Sequence, residues 1–389
     1  MRSASWCSAA WLAWVALCLA GVVIVPPLAC GRDAGALFDG DQDTQDALAR
    51  EVIAYVSRDE HASFHTGSDL FDGEWAVATY QMSILALGQI VLEHPELRDD
   101  YLPAMRHAAD RMVARDTLRF GRTMWGTDPL AGLPAGEGHA YLGYVNLALG
   151  MLRLVDPETP HAALHDRLTE ALARRLDRSP HGIFETYPGQ AFPPDVASVA
   201  GSIGLHQRAT GVDRSALLAR WSARYRAAWV DGSGYLVQLG DPRTGEALDA
   251  PRGSGTAIAA YFVSFCDRAL SRDLDRALAR HGHATFLGFG AVREYGPGHD
   301  GWGDIDSGPV VLGVGVSPTG FALAGARLHG DRDRYVEIVR TATLFGVPVE
   351  REGGRRFLAG GPIGNAILLA MLTATPLAMP AALPPQEGA

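Results

Sequence analysis

The sequence predicts an all-α protein, an (α/α)6 toroid of about twelve helices with short β-hairpin-like excursions in its loops. Three observations lead there. Apolar periodicity is helical nearly everywhere beyond the leader, the helices alternate between two compositions, and the alternation recurs about every 52 to 64 residues.

Taken in order, helices are expected near 42–57, 74–93, 101–115, 138–155, 161–176, 194–210, 213–229, 254–269, 271–281, 306–329, 331–344 and 362–373, separated by Gly, Pro and Asp clusters. Those beginning near 74, 138, 194, 254, 306 and 362 are rich in small and apolar residues, as in "YLGYVNLALGMLRL". Their partners carry arginines and acids, as in "HAALHDRLTEALARRL". A helix apolar all round must be buried, whereas one with a charged stripe faces solvent, so the first set forms an inner wall and the second an outer one. Six such hairpins closing on themselves give the toroid; an open solenoid of helix pairs is the alternative. Strand-like runs are short, as in "GYLVQLG".

The N-terminus differs. Met1-Arg2 precedes the apolar segment Ala9 to Val25, which ends at Pro26-Pro27, so residues 1–36 read as a signal peptide or an N-terminal membrane anchor. Cleavage is expected at Ala34-Gly35-Ala36, and "PLAC" ending at Cys30 resembles a lipoprotein box with Pro27 out of place. Residues 37–376 form one domain and 377–389 a Pro/Ala-rich tail. Periplasmic or secreted localisation follows, with retention at the membrane through the leader as the other outcome.

Three of the four cysteines lie in the leader, which leaves Cys266 among apolar residues as a buried thiol and excludes a disulfide framework. With 44 acidic and 34 basic residues and no basic block, nucleic acid is excluded as a partner. His61 and His65 in "HASFH" lack a suitably spaced third ligand, so no metal and no cofactor is expected.

In a toroid the loops feeding the inner helices meet at one mouth. Here those loops are "HTGSDLFDGEW", "MWGTDPLAGLPAGEGHAY", "FETYPGQAFPPD", "LDAPRGSGT", "YGPGHDGWGDIDSGP" and "FLAGGPIGN". Five carry carboxylates. Asp306 fits an N-cap for the helix expected at 306, whereas Asp304, two residues earlier, has no such task and is the first candidate for chemistry. Asp195 follows "FPP" at another inner-helix start, where capping and catalysis coexist. Glu185 lies beside Tyr187 and Phe192, which would desolvate it and suit a general acid. His139, Tyr141 and Tyr144 in "GEGHAYLGY" are further candidates, with Tyr141 and Tyr144 on one helix face. Asp128 is expected to hold the "GTDP" turn.

Several blocks in order, "WGTDPL" from Trp125, "YLGYVNLALG", "HGIFETYPGQAFPPDVASVAGSIGLHQRATG" and then "GYLVQL", resemble the linalool dehydratase/isomerase domain over roughly residues 70 to 345. The resemblance implies an exported, cofactor-free (α/α)6 barrel. That family uses two cysteines in the segment similar to Phe184–Asp195; here Asp195 stands at the second and Glu185 or Thr186 near the first. The family's histidine in "GHLNL" corresponds to Tyr144 in "GYVNL". Asp69, Asp72 and Glu74 with Trp75 resemble the acidic and aromatic residues before its first inner helix.

Thiol acid/base groups are thus exchanged for carboxyls, which perform the same proton transfers when burial raises one pKa and a neighbour lowers another. The expectation is a lyase or isomerase acting on an alcohol or other hydroxylated small molecule. Asp195 and Asp304 would be acid and base, supported by Glu185, Asp306, His139 and Tyr144. Asp72, Trp75, Trp125, Tyr141, Tyr187 and Trp302 would line the substrate site. A toroidal glycoside hydrolase, lyase or epimerase, and a non-catalytic binding protein, are the alternatives.

Overall fold

The structure is a computed structural model that describes residues 3–58, 64, 66–131, 133 and 139–377. His61, His65 and the tail beyond Leu377 lie outside these residues.

The leader forms α1 (Ser3–Cys30), followed after three residues by α2 (Ala34–Asp39). Next come α3 (Gln42–Val56), α4 (Asp69–Glu93), α5 (Arg98–Met112), α6 (Arg119–Trp125), α7 (Leu142–Val155) and α8 (Ala162–Arg178). They continue with α9 (Pro193–Thr210), α10 (Ser215–Trp229), α11 (Gly253–Val263) and α12 (Arg268–Ala277). The last are α13 (Val316–Leu328), α14 (Arg332–Gly346) and α15 (Gly361–Leu372). α4 packs on α7, α7 on α9, α9 on α11, α11 on α13, α13 on α15, and α15 returns to α4. These six form a closed inner ring, so the solenoid alternative is set aside. Outside it, α3, α5, α8, α10, α12 and α14 each pack on one or two inner helices.

Small residues let the inner wall close. A Cβ on Gly201 would stand 2.3 Å from the Phe262 carbonyl oxygen, and one on Gly204 would stand 2.4 Å from that of Phe265, so α9 and α11 meet backbone to backbone. Polar ties cross the ring as well. The Tyr261 hydroxyl on α11 donates to Gln89 Oε1 on α4 over 2.9 Å, and Gln89 Nε2 donates to the Ala370 carbonyl of α15 over 3.0 Å. Since α4 and α11 stand opposite in the ring, this pair crosses the axis near the ends of the helices remote from the mouth.

The expected helix over 306–329 is corrected. It begins at Val316, because β3 (Val310–Val311) and β4 (Val314–Gly315) turn through Leu312-Gly313 just before it. β4 also pairs with β2 (Phe289–Arg293), which pairs with β1 (His283–Phe286), giving a four-stranded sheet over α14. Pro318 occupies the first turn of α13 and does not break it. A second hairpin, β5 (Pro348–Arg351) and β6 (Gly354–Phe357), packs on α3. "GYLVQLG" forms only isolated bridges. Cys266 follows α11 in the turn to α12, and burial raises its pKa.

The segment after the leader is part of the packed body. Ala34 and Leu37 belong to the core, Asp33 pairs with Arg355 over 2.6 Å, and Asp39 pairs with Arg332 at the head of α14. The residues at the expected cleavage point are thus packed against the domain.

Candidate functional site

None of the six inner helices has a side chain capping its first turn, whereas α3, α12 and α14 in the outer layer are capped by Asp41, Asp267 and Asp331. The positive dipole ends of the inner helices gather at one end of the ring, where they favour negative charge. Three carboxyls meet there.

Asp195 lies in the first turn of α9, not at its N-cap, behind Pro193 and Pro194, which suit those positions because they lack an amide donor. Its Oδ1 accepts from the Tyr144 hydroxyl over 2.5 Å and its Oδ2 from Thr186 Oγ1 over 2.8 Å. Burial pushes its pKa up to about 6, against these two bonds, and the charge of Asp306 adds to the rise.

Glu74 stands in the second turn of α4. Burial, then the charges of Asp306 and Asp195, push its pKa up to about 8, so it carries a proton at neutral pH. Its Oε1 is paired with the Tyr187 hydroxyl, and its carbonyl accepts from Tyr141 over 3.4 Å. Sequence reasoning named Glu74 only in passing; it lies within a helix, and its partner is supplied by a segment distant in sequence.

Asp306 completes the group. Its pKa is raised by partial desolvation and by Asp304, while a hydrogen bond from the Trp75 side chain lowers it. It does not cap a helix: Gly315 is the N-cap of α13.

The expectation for Asp304 is corrected in turn. Asp304 is the turn-holding residue, since its Oδ1 accepts from the amides of Asp306 (3.1 Å) and Ser307 (2.8 Å) and its Oδ2 pairs with Arg252. Burial alone would raise its pKa, but the Ser307 amide and the Arg252 guanidinium hold it below the usual range. A carboxylate so engaged is a poor proton donor. Arg252 is also bound by Asp249 over 2.8 Å and lies over the Tyr295 ring.

Other candidates fall into supporting places. Glu185 turns back to the Gly189 amide over 3.3 Å and stays apart from the three carboxyls, whereas its neighbour Thr186 reaches Asp195. Asp72 accepts from Thr66 N and Oγ1 (2.9 and 2.7 Å), which fastens the chain before α4 instead of meeting substrate. Trp125 is sandwiched between His139 and Tyr187, with centroids at 4.4 and 5.5 Å, and donates to the Thr186 carbonyl over 3.1 Å. Both its faces are used, so it buttresses the site and is not an open stacking platform. Burial, with Arg175 nearby, lowers the His139 pKa to about 4, which leaves the ring neutral near pH 7. Tyr141 and Tyr144 do share a face, meeting edge to face at 5.4 Å. Asp128 accepts from the Leu130 amide over 3.0 Å and holds its turn. Trp302 is 91% exposed and packs on none of the site's rings among the aromatic contacts, so it stands apart from the buried aromatic lining.

Beneath the mouth, Glu294 on the segment after β2 is fully buried, accepts from Ser254 Oγ over 2.7 Å, and is pushed up to about 7 by burial. It joins the sheet to the start of α11. A separate cleft of about 500 Å³ opens at the other end of the ring, where Arg153 pairs with Asp166 and Arg214 with Glu170. Among the described residues no group of three or more His, Cys, Asp or Glu side chains is arranged to hold a metal ion.

The ring and the mouth cluster together define a helical toroid with three carboxyls gathered at one mouth. No protein-family model matches this sequence, and no curated protein is significantly similar to it. Among solved structures, the chain is similar to an unsaturated glucuronyl hydrolase of Streptococcus agalactiae, at 12% identity over 88% of this chain and 91% of that one, with a TM-score of 0.48. It is also similar to an inactive variant of an α-1,6-mannanase of a Salegentibacter species in complex with α-1,6-mannotriose, at 11% identity over 86% of this chain and all of that one, with a TM-score of 0.49.

Proposed function

We propose that the protein is an acid/base enzyme that cleaves or rearranges a polyhydroxylated substrate, a glycoside or related carbohydrate, with Glu74 as general acid and Asp195 as base. The observation that carries this reading is the meeting in one mouth of two carboxyls raised to different extents, Glu74 held to Tyr187 and Asp195 held to Tyr144 and Thr186. Glu74 keeps its proton up to about pH 8 and Asp195 gives its own up above about 6, so near neutrality one donates while the other accepts.

The lining favours a substrate with many hydroxyls. Three carboxyls and three tyrosine hydroxyls stand among aromatic rings, a polar lining that suits a substrate with several hydrogen-bonding groups. In hydrolysis, Glu74 would protonate the glycosidic oxygen as the C–O bond breaks, and Asp195 would take a proton from the water that adds to the anomeric carbon.

A second reading, dehydration or isomerisation of an alcohol, is favoured by one specific contact. Asp195 stands at the second cysteine position of the linalool dehydratase/isomerase-like segment and Glu185 or Thr186 near the first, and Thr186 touches Asp195 over 2.8 Å.

The experiment is a screen of the purified chain against saturated and unsaturated oligosaccharides and against tertiary allylic alcohols, with Glu74→Gln and Asp195→Asn as controls. Activity on a glycoside that falls about 10²- to 10⁴-fold in both variants supports the first reading. Turnover of the alcohols alone moves the assignment to the second. Full activity in both variants removes the acid/base pair altogether.

A further inference from the structure

Two hairpins of the four-stranded sheet share an unusual turn. "FLGF" joins β1 to β2 and "VLGV" joins β3 to β4, and in each the two central residues have positive φ: 49° and 79° for Leu287-Gly288, 54° and 81° for Leu312-Gly313. Such two-residue turns favour Asn, Asp or Gly at the first position, because a side chain there is strained and faces water. Here both hold leucine, and Leu312 is 93% exposed. A third positive-φ residue, Val347 at 53°, ends α14 beside the exposed Phe345. Backbone conformation at three points is used to hold apolar side chains outward, where polar residues would be less strained.

The Leu287 turn and the end of α14 at Val347 adjoin one another and the leader, whereas the Leu312 turn lies at the other end of β2, beyond Arg293. Arg340 on α14 donates to the Gly288 carbonyl over 3.0 Å, one helical turn before Leu344, and the Leu358 amide bonds to the Val347 carbonyl over 3.2 Å. α1 reaches the body at this place. Its Pro27 lies against Gly288, and Gly31 lies against the Arg340 side chain, while Asp39 pairs with Arg332 at the start of α14. Read backward from Asp39 to Pro27, the chain climbs α14 toward the end that borders the mouth. α1 therefore leaves the body on the side where Phe286, Leu287, Leu344 and Phe345 are exposed. The stretch from Trp14 to Asp39 is long and apolar enough to cross a membrane, and Trp11, Trp14, Leu17, Val22, Val25 and Leu28 are exposed.

We infer that this flank docks on the lipid bilayer that α1 enters, with Phe286, Leu287, Phe345 and Val347 inserted at the boundary. The occupant is a bilayer because the patch is continuous with the root of an apolar helix, and because a segment entering lipid beside Arg340 brings that flank to the membrane. Apolar side chains on a flank beside such a helix suit that boundary. Docking turns the α13–α14 sector of the mouth toward the membrane surface, so substrate is met there.

The test uses the full chain in phosphatidylethanolamine/phosphatidylglycerol vesicles. An environment-sensitive fluorophore is placed at Leu287→Cys, Phe345→Cys or Glu158→Cys, the last at the opposite end of the ring, with Cys7, Cys18, Cys30 and Cys266 replaced by alanine. Emission is expected to shift to the blue at the first two positions and to be quenched by lipids with brominated acyl chains, and to stay water-like at the third. Water-like emission at all three overturns the inference, and so does a blue shift insensitive to the lipid quencher, which would place a second copy of the chain on the rim. In the unmodified chain, carbene labelling from a diazirine on the acyl chain is expected to mark peptides spanning 286–289 and 344–358; labelling confined to α1 overturns it. Neither readout depends on enzymatic activity, so the result stands apart from the proposed reaction.

Discussion

Tyr144 donates its hydroxyl to Asp195 over 2.5 Å, which links the first turn of α7 to the first turn of α9 and fixes the carboxyl that faces the mouth. The bond stabilises the ionised form and opposes the burial that raises its pKa. Tyr144→Phe is expected to raise the Asp195 pKa further, by about one to two units. The acidic limb of a kcat/KM profile should move toward neutral pH by that amount, with the alkaline limb in place.

Glu74 and Asp195 together set a window. Activity requires Asp195 ionised and Glu74 protonated, so kcat/KM is expected to form a bell between about 6 and about 8. The two carboxyls and Asp306 sense one another's charge, and the limbs report the cluster as a unit. Glu74→Gln should lower kcat by about 10²- to 10⁴-fold for a substrate whose leaving group needs protonation, and much less for an activated aryl leaving group.

The same raised pKa affects stability. The folded chain holds a proton on Glu74 that the unfolded chain has already lost, so its contribution is complete below the ordinary value of 4.5 and disappears as pH rises through about 8. Glutamine mimics the protonated form. Glu74→Gln is therefore expected to match the native melting temperature near pH 4.5 and to exceed it at pH 9, as thermal unfolding at both values would show.

Asp304 and Asp306 separate in their consequences. Asp304→Asn keeps an acceptor for the Ser307 amide and loses the half-exposed pair with Arg252, a loss of roughly 1 kcal/mol or less with the pH profile unchanged. Asp306→Asn removes a charge that raises Glu74, so the alkaline limb should fall to lower pH. An unchanged profile in Asp306→Asn would detach it from the site.

Closure of the inner wall depends on backbone contact between α9 and α11. Gly201→Ala would place a methyl 2.3 Å from the Phe262 carbonyl oxygen, which the backbone must move to relieve. A loss of about 1–3 kcal/mol is expected in denaturant unfolding, against a much smaller effect for Gly320→Ala, whose Cβ meets nothing.

Much of the ring was legible because burial acts on composition. "YLGYVNLALGMLRL" is apolar on every side since it is wedged between neighbours on both flanks, and "HAALHDRLTEALARRL" keeps a charged stripe since one side meets water. The stretch before α13 misled for a physical reason. "PVVLGV" reads as the apolar opening of a helix, but its β-branched residues around Leu312-Gly313 pair as strands. That shift also exchanged the tasks of Asp304 and Asp306, since which of two carboxylates holds a turn depends on where the following helix starts. Asp195 was visible from its place after "FPP"; the role of Glu74 was not, because its pKa follows from residues brought together only by ring closure.

The hydrogen bond from Tyr261 to Gln89 joins opposite sides of the ring. With that pair across it, the toroid is a cup and not a tunnel: whatever enters by the mouth leaves by the mouth. Nothing can be threaded through it, so on the proposed reading a substrate would approach from the mouth side alone and its products would leave past Glu74 and Tyr187.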